Sequence, residues 1–278
     1  MRDSRERDRR PRRGEAPRRD REDGGAHDAG APHPRAKKRF SQNFLVDGNM
    51  ARKIVELCQI RPDDAVIEIG AGTGALTRHL LAAAGRLHAV ELDRELLQHL
   101  RVEFEDEPKL TLHQDDILKL RVRNLVPQGQ ALVVGNLPSA ITHDLVRWLL
   151  DQHADIRRAV VLMQREVAQR LCAEPGSRAS GSMTLAVRYR AEAERILDVP
   201  PGCFRPAPKV TSSLVAFRFL DRPPVGPRDE AFFFRVIRAA FGERRKTLAN
   251  ALAAGLGEPR ATVEGAVRDA GIDPMIRG

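Results

Sequence analysis

Apolar and polar positions along the chain switch between two periods, and their order predicts an α/β fold. Short β-branched runs at Ala65–Ile69, Leu87–Glu91, Leu110–His113, Leu132–Gly135 and Ala159–Met163 have the length and continuity of strands buried on both faces. Helical patterns separate them. Asp47 precedes a helix with Met50, Ile54, Leu57 and Cys58 on one face, and a helix closed by Gly85 follows the first strand. Asp93 caps a helix carrying Leu96, Leu97, Leu100 and Phe104. Later helices present Leu145, Trp148 and Leu149, then Val167 and Leu171. Strands separated by such helices imply right-handed βαβ units and a parallel sheet. Met183–Tyr189 and Ser213–Phe219 also read as strands, predicted to close one sheet edge as an antiparallel pair. After the break DRPPVGPRDE, Asp229 caps a helix predicted to bury Phe232, Phe233, Val236, Ile237, Ala240 and Phe241. A last helical stretch ends at Gly255.

Composition sharpens the outline. The 278 residues suffice for one large domain and a small one. No apolar run approaches the roughly 18 residues of a membrane span. Cys58, Cys172 and Cys203 are widely spaced, which supports neither a zinc site nor a disulfide framework and fits a reducing, cytoplasmic setting. The net charge of +9 points to an anionic partner, but it is unevenly placed. Residues 1–39 hold 14 Lys/Arg against 8 Asp/Glu, leaving 33 against 30 for the rest. Residues 1–36 are nearly free of large apolar side chains, so this basic tail is expected to be disordered, either a solvated arm or a loose nucleic-acid tether.

Chemistry gathers at the predicted strand ends. The loop EIGAGTG sets glycines at 70, 72 and 74, a spacing that differs from the GxGxxG of dinucleotide folds. Glu91 ends the second strand, where a carboxylate can accept both hydroxyls of a ribose. Asp116, or its neighbour Asp115, ends the third and can accept from an exocyclic adenine amine. The fourth strand delivers LVVGNLPS, whose Asn136 and Pro-stiffened turn could grip a planar, amino-bearing group. Singly, these are a tight turn, helix caps and an Asn-Pro turn. Together they suggest an adenosyl cofactor, and the glycine spacing favours S-adenosylmethionine over NAD. The eight histidines are scattered and mark no site.

The segments FSQNFLVD, VIEIGAGTGALT, VELD, QDDIL, GNLP, QREVAQRL, PPGCFRPAPKVTSSLV and FGERRKTLANAL resemble, in order, the motifs of the ribosomal RNA adenine N6-dimethyltransferase family. The resemblance runs from about Lys37 to Asp273. It implies a Rossmann-like class I S-adenosylmethionine methyltransferase domain (37–221) with a small all-helical, rRNA-docking domain (228–278). It implies N6-dimethylation of two neighbouring adenines in the 3′-terminal hairpin loop of small-subunit rRNA during ribosome assembly. The protein is then expected to be a monomer that meets the immature small subunit and needs no metal and no membrane. The motif pattern assigns the cofactor to Asn43, Leu45, Gly70, Glu91, Asp116 and Asn136, and the loop reading adds Gly72. The Asn136 side-chain oxygen and the Leu137 or Pro138 carbonyl would orient the target amine. RNA contacts are expected from Lys209, Arg235, Arg238, Arg244, Arg245 and Lys246, where a solvated basic helix face is the competing reading.

Two departures stand out. The residue after Pro138 is an aromatic base-stacking residue in that family and Ser139 here, which leaves Phe204 as the candidate aromatic face. Family members also run on for about another helix, so a shortened C-terminal domain is expected. Ser139 keeps open a weakly active or inactive rRNA-binding assembly factor. Shared motifs keep open a large-subunit methyltransferase that confers macrolide resistance, although GIDP and RRKT look more like the small-subunit branch.

Overall fold

The computed structural model describes residues 42–243 and 245–277, so the predicted tail lies outside the described residues. Seven strands form one sheet: β2 (Ala65–Ile69), β3 (Arg86–Val90), β4 (Leu110–His113), β5 (Ala131–Asn136), β6 (Ile156–Gln164), β7 (Ala191–Val199) and β9 (Ser212–Phe219). Their spatial order is β4-β3-β2-β5-β6-β9-β7. The first five pair in parallel, and β9 runs antiparallel to both its neighbours. The chain steps outward from β2 to β4, then returns to β5 on the other side of β2. That reversal opens a crevice at the carboxyl ends of β2 and β5, where ligands bind in open α/β sheets.

Period-two alternation splits the core between two faces. Val66, Leu132, Val134, Val160 and Leu162 pack with Ile54 of α1 (Gly48–Leu57) and Leu80 of α2 (Thr77–Ala83). Ile67, Ile69, Val133 and Val161 face the other way, against Leu145, Trp148 and Leu149 of α5 (Thr142–Asp151). Both faces are covered, so the central strands read as continuous apolar runs. Helix α3 (Arg94–Glu103) starts at Asp93, whose carboxylate accepts from the Glu95 N–H at 2.9 Å, and Asp47 caps α1 through the Met50 N–H at 2.9 Å. The remaining helices of the sheet domain are α4 (Val122–Leu125), α6 (Arg165–Leu171) and α7 (Ser182–Arg190).

Gly135 is the tightest point between β2 and β5. A Cβ there would sit 2.7 Å from the Ile69 carbonyl oxygen and 3.0 Å from the Ile69 Cβ. Neither central strand can move aside without breaking a ladder. Gly135→Ala is therefore expected to cost about 2–3 kcal/mol by overpacking and to lower the melting temperature by about 4–10 °C. A thermal melt checks this, and an unchanged midpoint would show that the strands have slack.

The sheet edge corrects one sequence reading. Met183–Tyr189 belongs to helix α7. Its start is fixed by Thr184, whose hydroxyl accepts from the Gly181 N–H and donates to the Arg170 carbonyl. The partner of β9 is instead β7, a charged edge strand whose Glu192, Glu194 and Arg195 face solvent. Edge strands blunted by charge carry little hydrophobic signal. Gly85 closes no helix by a left-handed cap: α2 stops at Ala83, and Gly85 lies where a Cβ would meet the Pro62 carbonyl at 2.7 Å.

The C-terminal helices α8 (Glu230–Gly242), α9 (Leu248–Leu256) and α10 (Arg260–Asp269) share a small core of Ala239, Leu252, Val263 and Val267. Of the six α8 residues expected to be buried only Ile237 is, joined by Ala239, while Phe232 is 48% exposed. Phe233 and Phe234 instead clasp Tyr189, whose hydroxyl donates to Glu230 at 3.0 Å, and Arg190 pairs with the same carboxylate. Helix α9 runs through Gly255 and ends at Gly257 in the left-handed region (φ 73°). Gly255 serves packing, since a Cβ there would lie 2.5 Å from the Ala239 Cβ.

Candidate cofactor and substrate cleft

The crevice is a cleft of about 270 Å³ built from successive strand ends. β2 contributes Gly70 and Gly72, β3 contributes Glu91, the turn after β4 contributes Asp115 and Asp116, and β5 contributes Asn136 to Ser139. A flap crosses it: β1 (Phe44–Leu45) pairs antiparallel with β8 (Phe204–Arg205), setting Leu45 opposite Phe204. The flap is tied to the strand end, because the Asn136 side-chain N–H donates to the Asn43 carbonyl at 3.0 Å.

Backbone geometry explains the glycine loop. Gly70 and Gly72 take φ values of 69° and 59°, the left-handed region that favours glycine. A Cβ on Gly72 would also press on the Phe44 ring at 3.2 Å. Gly74 has a different task, packing under Phe104 away from the cleft lining. Glu91 locks this loop to the next one: one carboxylate oxygen accepts from the Gly72 N–H at 2.9 Å, the other from the Asp93 N–H at 2.8 Å. Burial pushes the Glu91 carboxyl above the usual carboxylate range, while the Asp93 and Gly72 N–H groups pull it back. Each oxygen retains a lone pair for a hydroxyl. Asp116 is half-buried and caps the turn at 117–119 through the Leu118 N–H at 3.1 Å. Asp115 is exposed and accepts from the Asp116 N–H at 2.7 Å.

Asn136 is the last residue of β5, with one amide hydrogen spent on Asn43 and its side-chain oxygen accepting nothing from the described residues. The next two carbonyls differ. Pro138 already accepts from the Ile141 N–H at 3.2 Å and the Thr142 hydroxyl at 3.0 Å, which fills both lone pairs. The Leu137 carbonyl carries no hydrogen bond from the described residues, although the Leu137 N–H is held by the Leu162 carbonyl at 2.8 Å. Of the two carbonyl acceptors considered from sequence, only Leu137 is open. Ser139 is exposed at the rim, and Phe204 lines the cleft while being 1% exposed and part of the core.

The structure thus brings Asn43, Gly70, Gly72, Glu91, Asp116, Asn136, Leu137, Pro138, Ser139 and Phe204 to one cleft. It does not bring Leu45, which is buried behind the flap. Lys209, Arg235, Arg238, Arg245 and Lys246 are exposed away from the cleft lining, Lys246 paired with Glu243 at 2.8 Å, and Arg244 lies outside the described residues. Sequence reasoning named neither Phe44 nor Gln164 as a site residue, although both lie within the segments FSQNFLVD and QREVAQRL. It also missed Glu68, fully buried on β2 beneath the loop. Burial raises the Glu68 carboxyl to about 7 although the Thr77 hydroxyl donates to it at 2.7 Å.

The donor set suits an adenosyl group bearing positive charge. Three carboxylates line the cleft and, among the described residues that line it, none is Lys or Arg. A pyrophosphate would meet repulsion there, whereas ribose hydroxyls, an adenine amine and a sulfonium would meet acceptors. No group of three or more His, Cys, Asp or Glu among the described residues is arranged to hold a metal ion. No helix among them is long and apolar enough to cross a membrane.

Comparison with known proteins places this cleft in context. The family model described as ribosomal RNA adenine dimethylase matches residues 33–269. Proteins named ribosomal RNA small subunit methyltransferase A are similar over most of their length. The one from Magnetococcus marinus is 46% identical over 242 residues, covering 86% of this chain and 85% of that protein. The one from Aromatoleum aromaticum is 44% identical over 245 residues, covering 88% and 89%. Among solved structures, the 23S rRNA methyltransferase ErmE superposes with a TM-score of 0.64 at 27% identity, covering 84% of this chain and 92% of that one. A dimethyladenosine transferase from Plasmodium falciparum gives the same TM-score at 23% identity over 82% of each chain, a likeness of fold.

Proposed function

The chain belongs to the ribosomal RNA adenine dimethylase family, and on that premise we propose that it is an S-adenosylmethionine-dependent N6-dimethyltransferase of two adjacent adenines in the 3′-terminal hairpin loop of small-subunit rRNA. The observation that carries this reading is the convergence of Glu91, Asp116 and Asn136 on one cleft whose lining, among the described residues, holds no Lys or Arg. The similar proteins are named for the small subunit, which favours that substrate over the large subunit. The reading places a cytoplasmic monomer on the immature small subunit during ribosome assembly.

In this assignment Glu91 takes the ribose hydroxyls, Asp116 the adenine amine of the cofactor, and the left-handed backbone at Gly70 and Gly72 lets the cofactor approach closely. S-adenosylmethionine supplies an electrophilic methyl group, so the reaction needs no metal and no covalent enzyme intermediate. The chain's part is to position the nucleophile. Adenine N6 is poorly nucleophilic because its lone pair is delocalised into the ring. Hydrogen bonds from that amine to the Asn136 side-chain oxygen and the Leu137 carbonyl turn the lone pair toward the cofactor and stabilise the positive charge that develops on nitrogen. Phe204 and Phe44, on the flap, flank the space a flipped base would enter. The exposed cations Lys209, Arg235, Arg238, Arg245 and Lys246 are proposed RNA contacts, four of them on or after α8 of the helical domain.

The test is transfer of labelled methyl groups to immature small subunits lacking the modification, with mapping of the labelled adenines. Label on the two hairpin adenines is the expected result. Binding of cofactor and subunits without label would replace the enzyme by an assembly factor, and label on large subunits would move the substrate. Ser139 supplies a graded version. A tyrosine at this exposed position meets no core neighbour, and base–aromatic stacking is worth about 1–3 kcal/mol. Ser139→Tyr is expected to raise kcat/KM by about tenfold. An unchanged rate would assign the stacking face to Phe44 or Phe204 already.

A further inference from the structure

The cleft lining carries no cation among its described residues, yet a nucleotide that enters it brings phosphates on either side. A basic rim lies where β6 and β7 end and β9 begins. Gln164 and Ser212 line the cleft and pair with each other, and Val199 pairs with Ser212. Arg165 is the next residue after Gln164, with its backbone N–H held by the Thr211 carbonyl at 3.0 Å. Its position on the rim is therefore fixed while its side chain, 49% exposed, reaches outward.

The ion pair that Arg165 makes is long and exposed. A guanidinium nitrogen stands 3.4 Å from one Asp198 carboxylate oxygen, against 2.6 Å for the half-buried Arg157–Asp64 pair. Arg195 approaches the other oxygen at 3.9 Å. That second oxygen already accepts from the buried Ser213 hydroxyl at 2.6 Å. Two guanidinium groups thus share one carboxylate whose better hydrogen bond goes elsewhere, leaving a net positive charge on the rim. A long, exposed ion pair contributes little stability and is readily exchanged. A phosphate offers the planar guanidinium two oxygens at once.

We propose that Arg165, supported by Arg195, grips the RNA backbone phosphate beside the adenosine that enters the cleft, with Asp198 as a stand-in partner that the phosphate displaces. Lys209 is exposed on the loop joining the flap to β9. The proposal rests on rRNA as the substrate and adds a positive contact at the cleft itself, separate from the basic residues of α8 and the turn that follows it.

The experiment measures binding of immature small subunits to wild type, Arg165→Ala, Arg165→Lys and Asp198→Asn over a series of salt concentrations, with methyl transfer and cofactor affinity read in parallel. Arg165→Ala is expected to weaken subunit binding about fivefold to tenfold near 0.1 M salt and to reduce the slope of log K against log salt by about 0.7–0.9, one phosphate contact. The loss should fall on KM more than on kcat, with cofactor affinity kept. Arg165→Lys should recover part of the binding. Asp198→Asn retains an acceptor for Ser213 and frees the cations, so it should bind as tightly as wild type or more so. A wild-type slope in Arg165→Ala overturns the proposal, as does weakened binding in Asp198→Asn, which would make the pair a strut. Subunit binding without methyl transfer by wild type would instead overturn the enzymatic reading, with the salt slopes still deciding this one.

Discussion

Asn136→Ala is expected to lower kcat for methyl transfer by about a hundredfold to a thousandfold, the usual loss when a preorganised polar group at a reacting centre is removed. The residue has two duties, and the substitution ends both. Its side-chain oxygen is the open acceptor at the end of β5, and its amide hydrogen holds the Asn43 carbonyl of the flap. Loss of the first leaves the target amine without orientation. Loss of the second loosens the segment proposed to cover the cofactor, so cofactor affinity should fall by a few-fold as well. Asn136→Asp separates the duties, because it keeps an acceptor but sets a carboxylate oxygen against the Asn43 carbonyl. It should lose more cofactor affinity than Asn136→Ala. Single-turnover transfer with saturating cofactor reads the first effect and calorimetry the second. A rate within threefold of wild type in Asn136→Ala would show that the amine is oriented by another group.

The same residue shows what the sequence could convey. The apolar run before Gly135 announced a buried strand because both sheet faces are covered, and Ala65–Ile69 was legible for the same reason. Asp47, Asp93 and Asp229 announced helix starts because a cap is a local hydrogen bond, made within three residues. What stayed hidden depends on distant partners. The flap joins two strands of two residues each, about 160 positions apart, and nothing local to Phe44–Leu45 or to Phe204–Arg205 specifies that they pair. The Pro138 carbonyl looked available until the turn at 139–141 folded back onto it. Gly255 looked like a helix end because a glycine demanded by a crossing helix has the same letter as one demanded by a cap. Edge strand β7 was missed for a surface reason, since its solvent face replaced the apolar alternation with charge.

Glu91→Ala carries the largest expected effect on cofactor binding, a loss of about a hundredfold or more. Glu91 is 6% exposed, and both its oxygens already serve backbone N–H groups of neighbouring loops. Removal deletes two charge-assisted hydrogen bonds to the proposed ribose, each worth about 1.5–3 kcal/mol, and strands the Gly72 and Asp93 N–H groups. Glu91→Gln tests the geometry more gently. Its amide has one acceptor oxygen where the carboxylate has two, so either Gly72 or Asp93 must face an N–H, and affinity should fall to an intermediate value. The raised pKa adds a second readout. Protonation removes an acceptor, so wild-type affinity should weaken as pH falls, and should begin to do so at a higher pH than an ordinary glutamate would dictate. Glu91→Gln cannot titrate and should lose that dependence. Calorimetry across a pH series measures both effects. Equal cofactor affinity in Glu91→Ala and wild type would take the ribose away from Glu91 and leave it a strut between the glycine loop and α3.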